Sequence, residues 1–139
     1  MTTDPEANPH INLAAALITN DGGETLLVRK RGTVFFMQAG GKVEPHEKPV
    51  DALVRELKEE LGLTITPTEP KYIGKFEAEA ANEGGHNVVA EIFHLHVSGS
   101  VEANAEIEEL VWVDVQKPST LILAPLTRDH ILPMASDYA

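Results

Sequence analysis

The stretch from Gly40 to Leu63, GGKVEPHEKPVDALVRELKEELGL, constrains this chain more than any other part of it. A glycine pair leads into a proline-containing loop, and from Lys48 to Leu61 the residues follow a helical period. Pro49 is tolerated in the first helical turn, where no intrahelical hydrogen bond is lost, and Gly62 is placed to end the helix. At ~100° per residue, Val50, Leu53, Val54, Leu57 and Leu61 form one stripe, which is predicted to be the buried face. Glu56, Glu59 and Glu60 stand at i, i+3 and i+4, on another face about 120° away. The predicted helix therefore buries one face and presents three carboxylates on another.

Like charges at that spacing destabilise a helix by ~0.2–0.5 kcal/mol per pair, so helix stability does not account for the cluster. Hard divalent cations reverse the sign of the interaction, because Mg²⁺ and Mn²⁺ prefer carboxylate, carbonyl and water oxygens. A metal site is the economical reading, with a solvated acidic face as the alternative. Gly40-Gly41 is expected to let the chain turn tightly just before the helix, bringing backbone carbonyls and amides near the acidic face. Glu47, just before the helix, is placed to bridge to Arg55.

Gly41, Glu47, Arg55, Glu56, Leu57, Glu59, Glu60, Gly62 and Leu63 stand at the spacing G-x5-E-x7-R-E-U-x-E-E-x-G-U, where U is a bulky aliphatic residue. On this signature, filled at every specified position, the chain resembles the Nudix hydrolases. The resemblance implies an α/β fold, an α/β/α sandwich with a mixed β-sheet and two main helices. It implies attack of metal-activated water on a diphosphate linkage, splitting a nucleoside diphosphate joined to another group, with Mg²⁺ or Mn²⁺ as cofactor. Glu56, Glu59 and Glu60 are implied as metal carboxylates, the Gly40 carbonyl as a further ligand, and Glu47 with Arg55 as the pair that orients them. The general base is implied to be Glu56 or a glutamate outside the signature, for which Glu106, Glu108 and Glu109 are candidates. Lys30 is a candidate phosphate contact and Arg29 a weaker one, with ordinary surface charge as the alternative.

Two positions depart from most relatives: Ala39 stands where proline precedes the glycine pair, and His46 where glycine precedes the first glutamate. Alanine is expected to leave the turn less rigid, and histidine to be strained if its position needs positive φ. Neither removes a ligand. The sequence marks of ADP-ribose, diadenosine polyphosphate and coenzyme A enzymes are missing, and the isomerases that share this fold need a cysteine this chain lacks. A compact nucleoside-triphosphate pyrophosphohydrolase of the MutT type remains by elimination. The alternative is a non-catalytic Nudix-fold module that senses a nucleotide or contacts a protein; such modules often lose the glutamates kept here. A homodimer is compatible with the resemblance.

The remaining chain bounds these readings. A length of 139 residues suits one domain, 1–139, in which about residues 1–9 form a mobile leader. Composition is that of an ordinary soluble globular chain. The start MTTDPEANPH lacks a secretory signal, and no apolar run approaches a membrane span, so a cytoplasmic location without membrane contact is the default expectation. Without cysteine there are no disulfides, thiolate nucleophiles or Cys-ligated zinc. A formal charge of −11 disfavours nucleic acid as a partner, yet metal ions let an acidic protein bind a small nucleotide.

Strands are predicted over His10 to Thr19, Glu24 to Arg31, Phe35 to Gln38, Lys71 to Ala80, Asn87 to Val97 and Glu109 to Val115. Turns are predicted at Asn20 to Gly23 and at Asn82 to Gly85, a break at Pro118, and a helix over Thr127 to Met134. His94 and His96 share one strand face, but with His86 they show no recognisable metal-ligand spacing.

Overall fold

A computed structural model of the chain describes residues 10–81, 85–117 and 119–138. The predicted leader, the turn residues 82–84 and Pro118 lie outside the described residues. Strand β1 (His10–Thr19) is the centre of the sheet, and its last six residues are all buried. It pairs in parallel with β6 (Asn87–His96) along its length and antiparallel with β4 (Ala39–Lys42). Strand β5 (Lys71–Glu79) continues the sheet beyond β6. On the other side, β2 (Thr25–Lys30) lies between β3 (Phe36–Met37) and β7 (Ile107–Val113).

Asn20 makes the first turn as expected, its Oδ1 accepting the N–H groups of Gly22 and Glu24. The hairpin it starts is brief, because β1 and β2 pair only at Thr19 and Thr25 before β2 leaves for its other neighbours.

Alternate residues of β1 serve two cores. Ala14, Ala16 and Ile18 pack with Leu53, Leu57 and Leu61 of helix α1 (Pro49–Leu61). Ala15 and Leu17 pack with Ile92, Ile131 and Ala135 on the opposite face. The result is the expected mixed sheet with helical cover on both faces. The second cover differs from the single helix predicted over Thr127 to Met134: it is a π-helical turn, Thr127–Ile131, running into the short α2 (Leu132–Ala135). Pro133 falls in the first turn of α2, where it is tolerated. Among the described residues no helix is long and apolar enough to cross a membrane.

Two local expectations need correction. Gly40 and Gly41 do not form a turn; they are strand residues of β4, opposite Ala15 and Ala14 of β1. Ala39 opens that strand and is 1% exposed, packed in the core against α1, so it has no turn to loosen. The buried arc of α1 is also rotated toward the carboxylates. Ala52 and Glu60 are buried beside Leu53, Leu57 and Leu61, while Val50 and Val54 are half-buried. Strand β4 lies against that flank of the helix, so the three glutamates are not one uniformly presented face.

His46 has φ 68°, the strained conformation its departure from glycine raised. His46→Gly is expected to raise stability by about 0.5 kcal/mol, the relieved left-handed strain being partly offset by chain entropy; urea denaturation measures it. Gly40 has the opposite requirement: a Cβ there would stand 2.2 Å from the Ala14 carbonyl oxygen, against backbone that cannot yield. Gly40→Ala should cost about 3 kcal/mol or more in the same assay.

Candidate active site

Helix α1 and strand β4 bring the glutamates into three different environments. Glu60 is 1% exposed, at the back of the site. One of its oxygens accepts the Gly40 N–H at 3.1 Å, and the other, Oε2, has no hydrogen-bond partner. Lys30 Nζ stands 3.9 Å from Oε2 and 3.5 Å from Glu106 Oε1. Glu56 is half-buried and lies over Gly41, where a Cβ would meet its carboxyl carbon at 2.4 Å. Glycine therefore admits the Glu56 side chain at this point. Glu59 is exposed.

Arg55 organises the helix start. Its guanidinium donates to both oxygens of Glu47, at 3.1 and 2.9 Å, to the Lys42 carbonyl at 3.1 Å and to Glu56 Oε2 at 2.6 Å. Glu47 also accepts the Glu44 N–H, so the loop before the helix is tied at both ends. The Arg55 hydrogen bonds hold the Glu47 carboxyl below the usual range and raise the Arg55 guanidinium. The bridge expected between Glu47 and Arg55 is present, and it extends to Glu56.

A second tie runs from the C-terminus of α1. Gly62 adopts φ 69° and closes the helix, and the loop that follows β6 donates the Glu102 and Asn104 N–H groups to the carbonyls of Leu61 and Glu60. The same loop carries Glu106. A bulge between Arg29 and Lys30 in the β2–β7 pairing separates the three glutamates around the start of β7. Glu109 pairs with Arg29 and Glu108 with Arg31, while Glu106 is directed to Lys30. Lys30 thus belongs to the site, whereas Arg29 is held by Glu109 and the Thr33 carbonyl. The histidines do not converge: His94 bonds the Thr19 hydroxyl and packs on Tyr138, and His96 pairs with Asp21.

The donor set suits a hard divalent cation, since oxygens dominate and one buried carboxylate oxygen is left without a partner. Among the described residues no three acidic or histidine side chains stand close enough together to hold an ion as they are. Glu56 is turned toward Arg55.

Gln38 and Thr127 were expected only as a strand residue and a helix residue. Thr127 Oγ1 donates to Gln38 Oε1 at 2.8 Å in the core beside the site. A lone amide inside the apolar run FFMQA was the signal that could have found Gln38.

Burial pushes the Glu60 carboxyl up to about 7; Lys30 and the Gly40 N–H oppose the rise, while Glu56 and Glu106 add to it. Between its unfolded value of 4.5 and about 7 the native state keeps a proton that the unfolded chain has lost, so stability falls as pH rises through this window. The penalty is fully present above about 7 and on the order of 3 kcal/mol. Urea denaturation in chelator should show this decline from pH 4.5 to 7. Glu60→Gln should flatten it and be the more stable protein at pH 8 (~1 unit above the folded value).

A NUDIX domain model matches residues 9–134. The CTP pyrophosphohydrolase of Escherichia coli (strain K12) is 36% identical over 126 residues, covering 83% of this chain and 84% of that protein. The MutT protein of Methanosarcina mazei Go1 superposes with a TM-score of 0.74 at 28% identity, over 94% of this chain and 96% of that one. The E. coli ORF135 protein gives a TM-score of 0.68 at 31% identity, over 94% and 89%. A family match over nearly the whole chain, on a fold that brings Glu60, Glu56, Lys30 and Glu106 near one another, makes this protein a Nudix hydrolase, an enzyme acting on phosphoric anhydride bonds.

Proposed function

We propose that the protein hydrolyses a nucleoside triphosphate to the monophosphate and pyrophosphate, with CTP as the first substrate to test. The observation that carries the reading is the buried Glu60 carboxylate with one unpartnered oxygen, facing Lys30. Similarity to the E. coli CTP pyrophosphohydrolase along most of both chains supports the substrate class. The acidic surface does not oppose it, because Lys30 stands beside Glu60 and Glu106 and a divalent cation would offset the remaining charge.

Glu56, Glu59 and Glu60 are assigned as ligands of Mg²⁺ or Mn²⁺, and the Gly40 carbonyl as a further one. Gly40 gives its N–H to Glu60 rather than to β1, and in an extended strand the carbonyl of the same residue leaves by the same edge. A bound divalent ion would offset phosphate charge and make water more acidic. Glu47 and Arg55 hold the loop and present Glu56. Lys30, with a flexible stem and a compact charge, reaches from the carboxylates to a phosphate oxygen. Glu106 is assigned to take the proton from water, since it shares Lys30 with Glu60, while Glu109 and Glu108 are directed away to Arg29 and Arg31.

Incubation with nucleoside triphosphates and Mg²⁺, followed by chromatography of the products, tests this. Turnover of CTP should stop in chelator. Glu60→Gln should lower kcat by more than ~100-fold, beyond the loss that follows removal of an outer-shell partner. Glu106→Gln should lose ~100-fold or more, and Glu108→Gln should stay close to wild type. No turnover of any nucleotide would remove the reading. An unchanged Glu106→Gln would move the base elsewhere.

A further inference from the structure

Strand β5 forms one rim of the sheet: it pairs with β6 along one side, and among the described residues no strand pairs with the other. The Ala80 N–H donates to the His86 carbonyl, which continues the β5–β6 register and fixes the alternation along the strand. Phe76 and Ala78 therefore turn their backbone groups toward β6, and the N–H and C=O groups of Lys75, Glu77 and Glu79 point out of the sheet. A bulge between Tyr72 and Gly74 breaks the pattern, so the open row starts after it.

An open strand edge is a template for another strand, and charges along it keep unwanted strands away. Lys75, Glu77 and Glu79 are all exposed, but they are not of one sign. The sign changes once, between Lys75 and Glu77. An antiparallel partner of the same sequence must set outward residues opposite outward residues, which leaves few registers. Centring the pair on Lys75 sets lysine against lysine, and centring it on Glu77 sets glutamate against glutamate. Centring it on Phe76 sets Lys75 opposite Glu77 in both directions. Phe76 then meets its own counterpart on the face that carries the C-terminal helical segment, where its ring lies 5.6 Å from that of His130. An aromatic pair across the contact adds to the two charge pairs.

We propose that β5 pairs antiparallel with β5 of a second copy of this chain, with Phe76 on the two-fold axis and each Lys75 opposite Glu77 of the other copy. Both side chains can reach across. Lys75 Nζ is 3.7 Å from Glu91 and the Glu77 carboxylate 3.4 Å from His10, and each of the two side chains is more than half exposed. The ammonium carries three donors, so it serves Glu91 and the facing Glu77 together. A two-fold contact consumes both edges, and the assembly closes at two copies.

The contact runs over residues 74–78 of each strand and is small, so wild type should dimerise with a dissociation constant on the order of 100 µM. Sedimentation equilibrium in ~0.15 M salt measures it, since the formal charge of −11 is then screened beyond ~8 Å while the contact pairs persist. Glu77→Lys sets Lys75 against lysine, and Lys75→Glu sets Glu77 against glutamate. Each alone should weaken association by about tenfold or more, with a melting temperature close to that of wild type. An equimolar mixture of the two variants restores opposite charges at both pairs and should associate about as tightly as wild type. A wild type that stays monomeric up to ~1 mM, association unchanged in both variants, or a mixture no tighter than either variant alone would overturn the proposal. If either variant fails to fold, Lys75→Glu combined with Glu77→Lys in one chain makes the same exchange: wild-type association upholds the register, and its loss overturns it.

Discussion

A carboxylate withdrawn from water must find hydrogen bonds, opposite charge or a proton, and Glu60 is given only part of each. One oxygen has the Gly40 N–H, the other faces Lys30 at a distance too long for a hydrogen bond, and the proton is held up to about pH 7. Much of the site geometry follows from keeping that group buried. Gly40 must lie close enough to β1 that no side chain fits, because its amide is aimed at the helix instead of the sheet. The loop after β6 must reach the end of α1, where it caps the Glu60 and Leu61 carbonyls and so sets Glu106 beside Lys30.

The two cores on either side of β1 hold these parts in register. Alternation along one strand fixes α1 on one face and the C-terminal helical segment on the other, so the carboxylates and an apolar cleft meet at the β4 edge. Charge and apolar surface are thus kept apart within one small site.

Strongly periodic segments were legible in the sequence: α1 begins one residue from its predicted start and ends where Gly62 was expected to stop it, and β1 has its predicted bounds. Strand β4 was not legible, because a glycine pair has no strand preference of its own and is extended only by pairing with β1. A helical wheel gives angles between residues but not which flank a neighbour covers, so the burial of Glu60 needed β4 in place. The choice among Glu106, Glu108 and Glu109 depended on a bulge, a one-residue irregularity with no signal in local composition. The π-helical turn at Thr127 was likewise beyond periodicity, which sees only a helical run.

The Nudix signature therefore specifies the helix and its bracing by Glu47 and Arg55, while the fold decides which glutamate is sealed. On the proposed reading, the sealed, half-satisfied Glu60 carboxylate is a cation ligand. Calorimetric titration of Mn²⁺ into wild type and Glu60→Gln at pH 8, without nucleotide, tests it most directly. Binding to wild type that is lost in Glu60→Gln, while the variant remains folded, is the result expected; equal affinity in the two proteins would contradict it.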